Sequence, residues 1–156
     1  MKLLTTLLYP LSLLACLPGL VHAGDSPGER YIERYLATFP TRATAAGLYR
    51  HDARLETLDA GARAQWIAFN QEIARSLDEY RDGDPLDLDL LRRQVALELL
   101  EWQDEARPLN DPLFWTEPLG QATLYLVLRQ DRPAGERLAL AASRAEGIPA
   151  LVAQAL

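Results

Sequence analysis

One cysteine, one lysine and two histidines in 156 residues exclude a good deal of chemistry before any motif is considered. Cys16 has no second thiol to pair with, so neither an intramolecular disulfide nor a thiolate metal cluster can form. Every base beyond Lys2 is arginine, which removes the amine needed for a Schiff base or for a phosphate-loop lysine. A catalytic zinc ion needs about three protein ligands and an open position. His51 is the only imidazole left once His22 departs with a leader. Bases are also outnumbered, 16 against 22 acids for a formal charge of −6, or fifteen against 22 (−7) without residues 1–23. Such a surface repels nucleic acid and anionic lipid. The arginines are scattered rather than clustered with aromatics, and no glycine-rich phosphate loop is present, so nucleotide and nucleic-acid partners are not expected. Ser26, Ser76 and Ser143 fall in helix caps or helices without the glycine-flanked turn of a serine nucleophile.

What remains is 49% hydrophobic and 24% charged, enough for one ordinary core. Residues 1–23 read as a secretory signal: Lys2, the apolar run Leu3 to Leu17, the breaker Pro18-Gly19, and Val21-His22-Ala23 where a signal peptidase cuts. Thr5, Thr6, Pro10 and Ser12 interrupt the run, which falls short of the roughly 20 apolar residues of a membrane span. A second reading stays open, because Leu13-Leu14-Ala15-Cys16 is like a lipobox in which Cys16 is lipidated. Cleavage after Ala23 is favoured, since the breaker sits where it exposes that bond. Both readings predict an exported chain, periplasmic or secreted in the first case and an outer-membrane lipoprotein in the second. The membrane is a partner only if Cys16 is lipidated.

Residues 24–156 predict an all-α fold, about five to six helices in an irregular bundle. Ser26-Pro27-Gly28-Glu29 is a capping box, and Ile32, Tyr35, Leu36 and Phe39 recur at helical spacing up to Pro40. Thr41 to Ala46 makes one or two turns closed by Gly47, and Leu48 to Thr57 has no period. Asp59 caps a helix to about Tyr80 whose face carries Trp66, Phe69, Ile73 and Leu77. A third helix, about Leu86 to Ala106, is apolar on two sides, with Leu88, Leu91, Val95, Leu99 and Trp102 on one and Leu90, Leu97 and Leu100 on the other, which predicts a central position. Pro108 to Pro118 should be irregular, followed by helices at about Leu119 to Leu128 and Pro133 to Ala145. Pro149 opens a last apolar pattern for which no stop signal is visible.

Gln94, Glu98, Glu101 and Glu105, spaced by four, three and four, form a polar stripe between the two apolar faces of the third helix. A solvated face is the first reading of such a stripe and a cleft lining the second. His51-Asp52 reads as a pair that caps a turn. No catalytic, metal-binding or cofactor-binding residue is assigned.

Five segments in order carry a resemblance: Phe39-Pro40-Thr41-Arg42-Ala43-Thr44 through Gly47-Leu48, His51-Asp52 with Leu55, Leu86-Asp87-Leu88-Asp89-Leu90-Leu91, Arg129 to Arg137, and Ile148-Pro149-Ala150-Leu151. Together they resemble the N-terminal region of the bacterial family known as domain of unknown function 885. Its members are longer, largely helical, often exported, and similar to zinc metallopeptidases through a His-Glu-x-x-x-x-His type motif in their later half. The resemblance implies a peptidase-like parent that would bind zinc outside these residues, with a scaffold role for Pro40 to Gly47 and His51-Asp52. This sequence contains no such motif, so no catalytic residue carries over. The expectation is a helical N-terminal subdomain, truncated at its C-terminal end, whose partner is the missing portion of the parent or another helical surface. A free-standing helical binding module is the alternative.

Overall fold

The computed structural model describes residues 26–156; the signal segment and Cys16 lie outside the described residues. These residues are all-α, with seven α-helices and no strand among them. α1 (Pro27–Thr38) begins as the capping box predicts: Ser26 Oγ accepts from the Glu29 amide at 3.2 Å and donates to Glu29 Oε2 at 2.9 Å. Pro40 starts α2 (Pro40–Ala45), and Gly47, at φ 82°, turns the chain out of it in a backbone region that disfavours any side chain. α3 (Ala60–Glu79) starts on the Asp59 carboxylate, which accepts from the Ala62 amide at 2.8 Å. α4 (Pro85–Leu99) is capped in the same way by Asp84.

α3 and α4 pack along one another, as do α6 (Thr116–Leu128) and α7 (Ala134–Ala153), while α1 and α2 bridge the two pairs. The core forms around Trp66, which is 1% exposed. The rings of Tyr31, Tyr35, Phe39, Phe69 and Trp102 all lie within 6.5 Å of it, centroid to centroid. Trp102 passes the aromatic chain on to Phe114 and Trp115, so the segment after α4 is packed rather than loose.

Four expectations are corrected. The third helix does not reach Ala106 as an α-helix: residues Leu100–Asp104 form a π turn, closed by the Glu105 amide on Leu100 O at 2.8 Å, and Ala106 is left-handed at φ 48°. Its second apolar side is not covered, since Leu90, Leu97 and Leu100 are 55%, 53% and 43% exposed. The proline-rich stretch is helical in short pieces, α5 (Arg107–Asn110) and a 3₁₀ turn at Pro112–Trp115, because Pro108 and Pro112 occupy first-turn positions where a missing N–H costs nothing. α7 runs through Pro149 as one helix of 20 residues and stops at Ala153. Leu151, 1% exposed, holds its last turn against the core, and Gln154 accepts from the Leu58 amide while donating to Ala150 O.

Candidate functional site

The polar stripe on α4 does not stay together. Glu98 faces inward and is 5% exposed, where a solvated face was expected. Its Oε2 accepts the Trp66 indole proton at 2.9 Å and its Oε1 the Gln94 amide at 2.9 Å, with the Tyr31 hydroxyl at 3.5 Å. Burial pushes the Glu98 carboxyl above the ordinary range even though these donors favour the charged form. Burial first, and the Glu98 charge second, hold the Tyr31 hydroxyl well above its usual value. Glu101 turns aside to pair with Arg107 at 3.0 Å, and Glu105 is exposed. Gln94 alone reaches a cleft, a 710 Å³ groove between α1 and the start of α4.

A second polar cluster lies deeper. Arg144, on α7, is 1% exposed, and its Nη2 sits 2.6 Å from Thr44 Oγ1, 3.1 Å from Pro40 O and 3.2 Å from His51 O, with Nη1 3.2 Å from Ala122 O. The Thr44 hydroxyl donates to Asp52 Oδ1 at 2.8 Å, and Asp52 pairs with Arg129 at 3.3 Å. Glu56, 4% exposed, accepts from both the amide and the hydroxyl of Thr41. Arg129 and Arg132 stack over Tyr49, with Arg129 Cζ 4.0 Å from the ring centroid. Four separate chain segments are thus joined through one guanidinium. Burial lowers the pKa of Arg144 from its ordinary value.

His51 and Asp52, adjacent in sequence, do not form an acid and base pair. Asp52 turns inward to Thr44 and Arg129, while His51 Nδ1 lies 3.4 Å from Arg54 Nη1. Burial, then the charge of Arg54, lower the His51 pKa. A zinc ion does not fit: His51 is the only described imidazole, and among the described residues no three histidine, cysteine, aspartate or glutamate side chains converge. No described helix is long and apolar enough to cross a membrane.

Sequence reasoning missed Arg144, and it singled out Glu98 without its burial. The signal was present for Arg144, a charge on the stripe defined by Ala141 and Leu151, positions that turn inward on α7. Arg144 joins parts of the segments that carried the resemblance, Pro40 to Thr44 and His51-Asp52, directly to α7. Residues 40–156 match the profile of a family described as bacterial protein of unknown function (DUF885). No curated protein matches the chain. No solved structure matches it either.

Proposed function

The chain belongs to the DUF885 family, and from that membership we propose that it is the N-terminal helical scaffold portion of an exported, zinc-dependent peptidase-like protein, without catalytic competence of its own. The observation that carries this reading is the Arg144 cluster. The two Nη groups of Arg144 hold α2, the 48–59 segment, α6 and α7 together beneath the surface, while Arg144 Nε, Asp52 Oδ2 and Glu56 Oε2 are buried without a hydrogen-bond partner among the described residues. A buried charge that ties separate segments together serves registry more readily than chemistry. In this reading the metal and its activated water would belong to chain outside these residues, and the exposed leucine side of α4 is one surface such a portion could cover. Residues 1–23 act as the export signal to the periplasm or beyond, with an outer-membrane lipoprotein lipidated at Cys16 as the alternative.

Calorimetry with zinc and digestion of a peptide library test the catalytic half. The purified chain should neither bind zinc stoichiometrically nor cleave; sub-micromolar zinc binding, or cleavage abolished by a chelator, overturns the reading. Mass spectrometry of the mature N-terminus tests export, with Gly24 expected as the first residue and a diacylated Cys16 marking the lipoprotein form. An uncleaved cytoplasmic chain defeats both. The groove between α1 and α4 favours a second reading, a free-standing periplasmic binding module. Sequencing past the Leu156 codon separates the two: a frame continuing into helices and a His-Glu motif supports the scaffold, and a stop codon supports the module.

A further inference from the structure

We propose that the groove between α1 and α4 binds a peptide segment that sets a basic side chain beside apolar ones. At 710 Å³ the groove has the size of a small-ligand site, room for a few side chains. Its floor is apolar, made by Tyr31 and Ile32 from α1 and Leu88 and Leu91 from α4. Ile32 is 58% exposed, so the floor is open to a partner. Its rim is acidic: Glu29, Asp82, Asp84 and Asp87, with no arginine, lysine or histidine among the lining residues.

Of the nearby arginines, Arg81 stays at the edge of the groove, donating to Tyr80 O at 3.0 Å, and the others are engaged elsewhere. Arg30 pairs with Glu72, Arg93 with Asp89 at 2.8 Å, and Arg92 donates to Leu77 O at 3.0 Å. Among the described residues no ion pair reaches any of the four rim carboxylates. Asp84 is committed to capping α4 and Glu29 to the Ser26 hydroxyl, so Asp82 and Asp87 are the rim charges left for a ligand. Tyr80, held beside Gly83 at φ 103°, adds a ring face on which a cation can rest. Carboxylates above an apolar floor act through less water than on an open surface, which strengthens their pull on a cation and their rejection of an anion. An apolar ligand would leave the rim unmatched, and a bare cation the floor. A peptide alternating leucine and lysine satisfies both.

Fluorescence polarisation of the purified protein with a labelled Leu-Lys-Leu-Lys-Leu peptide tests the assignment. Saturable binding is expected, absent for the glutamate counterpart, and weakened about ten-fold or more on raising salt from about 0.1 M to about 1 M, where the screening length falls to ~3 Å. The Asp82→Asn/Asp87→Asn protein, and separately Ile32→Gln, should bind the lysine peptide several-fold more weakly, each with an unchanged circular dichroism melt. No saturable binding at millimolar peptide, equal binding of the glutamate peptide, or undiminished binding by both folded variants overturns the proposal. Hexylammonium displacing the peptide at an equal concentration would overturn the peptide as occupant.

Discussion

Trp66 combines burial, ring contacts and a hydrogen bond in one side chain, and substitutions can take these apart. Trp66→Ala should cost about 3–5 kcal/mol in a denaturant melt, as for other buried aromatics. Trp66→Phe keeps most of the packing but removes the indole donor from Glu98, so it should cost about 1–3 kcal/mol, the range for a buried acceptor losing its partner. A loss below about 1 kcal/mol for Trp66→Ala would remove this residue from the centre of the core. Glu98 itself gives a pH signature. Its folded pKa lies above its unfolded value, so its contribution to stability is fully present below about 4.3, the ordinary glutamate value, and is lost as pH rises through the raised folded value. Glu98→Gln should therefore gain on the wild type as pH rises through that window, whatever its absolute stability. Parallel stability curves for the two proteins from pH 4 to pH 8 would show that Glu98 does not titrate abnormally. Arg144→Met takes a buried donor away from the carbonyls of Pro40, His51 and Ala122 and from Thr44 Oγ1, at a cost of about 3–5 kcal/mol. Arg144→Lys should not rescue it, because one ammonium cannot serve acceptors spread across a planar fork.

At the scale of elements, the end of α4 carries a cost that a substitution can relieve. A non-glycine residue in left-handed backbone is strained by about 1–2 kcal/mol, and Ala106 occupies that region between the π turn and α5. Ala106→Gly should raise stability by roughly 0.5–1 kcal/mol after the greater freedom of glycine in the unfolded chain is subtracted. A lower midpoint in urea would show that the Ala106 methyl contributes packing that outweighs the strain. Gly147 presents the opposite case: a Cβ there would meet Leu55 Cδ1 at 3.1 Å, so Gly147→Val should destabilise by about 1–3 kcal/mol through overpacking of α7 against the 48–59 segment. Caps and period made most helices legible, because Ser26 and Asp59 announce starts locally and Trp66, Ile73 and Leu77 share one side of α3. The π turn, the passage through Pro149 and the Arg144 cluster were not legible. The partners lie far off in the chain, 104 residues for Pro40 and Arg144 and 96 for Leu58 and Gln154, so the inward stripe of α7 marks Arg144 but not what it meets. The stripe on α4 failed for the same reason, since the Trp66 indole from α3 and the Tyr31 hydroxyl from α1 meet Glu98 on its inward side.

For the whole molecule the open question is what the second side of α4 contributes. Leu86, Leu90, Leu97 and Leu100 recur at spacings of four, seven and three, with Arg93 in the same register, and each of these leucines is between 43% and 65% exposed. A row of this kind exceeds the scattered apolar side chains of an ordinary surface and favours association as concentration rises. The excess of acids works against association at low ionic strength and does so less as salt screens it. Light scattering should therefore show a mass that rises with both protein and salt concentration. Leu90→Gln/Leu97→Gln tests the origin of that rise. Exposed side chains add little to the folded state, and surface substitutions usually stay within about 0.5 kcal/mol, so the doubly substituted protein should melt close to the wild type while its mass no longer climbs. A melting point lowered by many degrees would mean that Leu90 and Leu97 are covered in the folded chain. A mass that still climbs would move the association to the apolar residues of α6 and α7, where Leu124, Val127, Leu128 and Leu138 are also exposed.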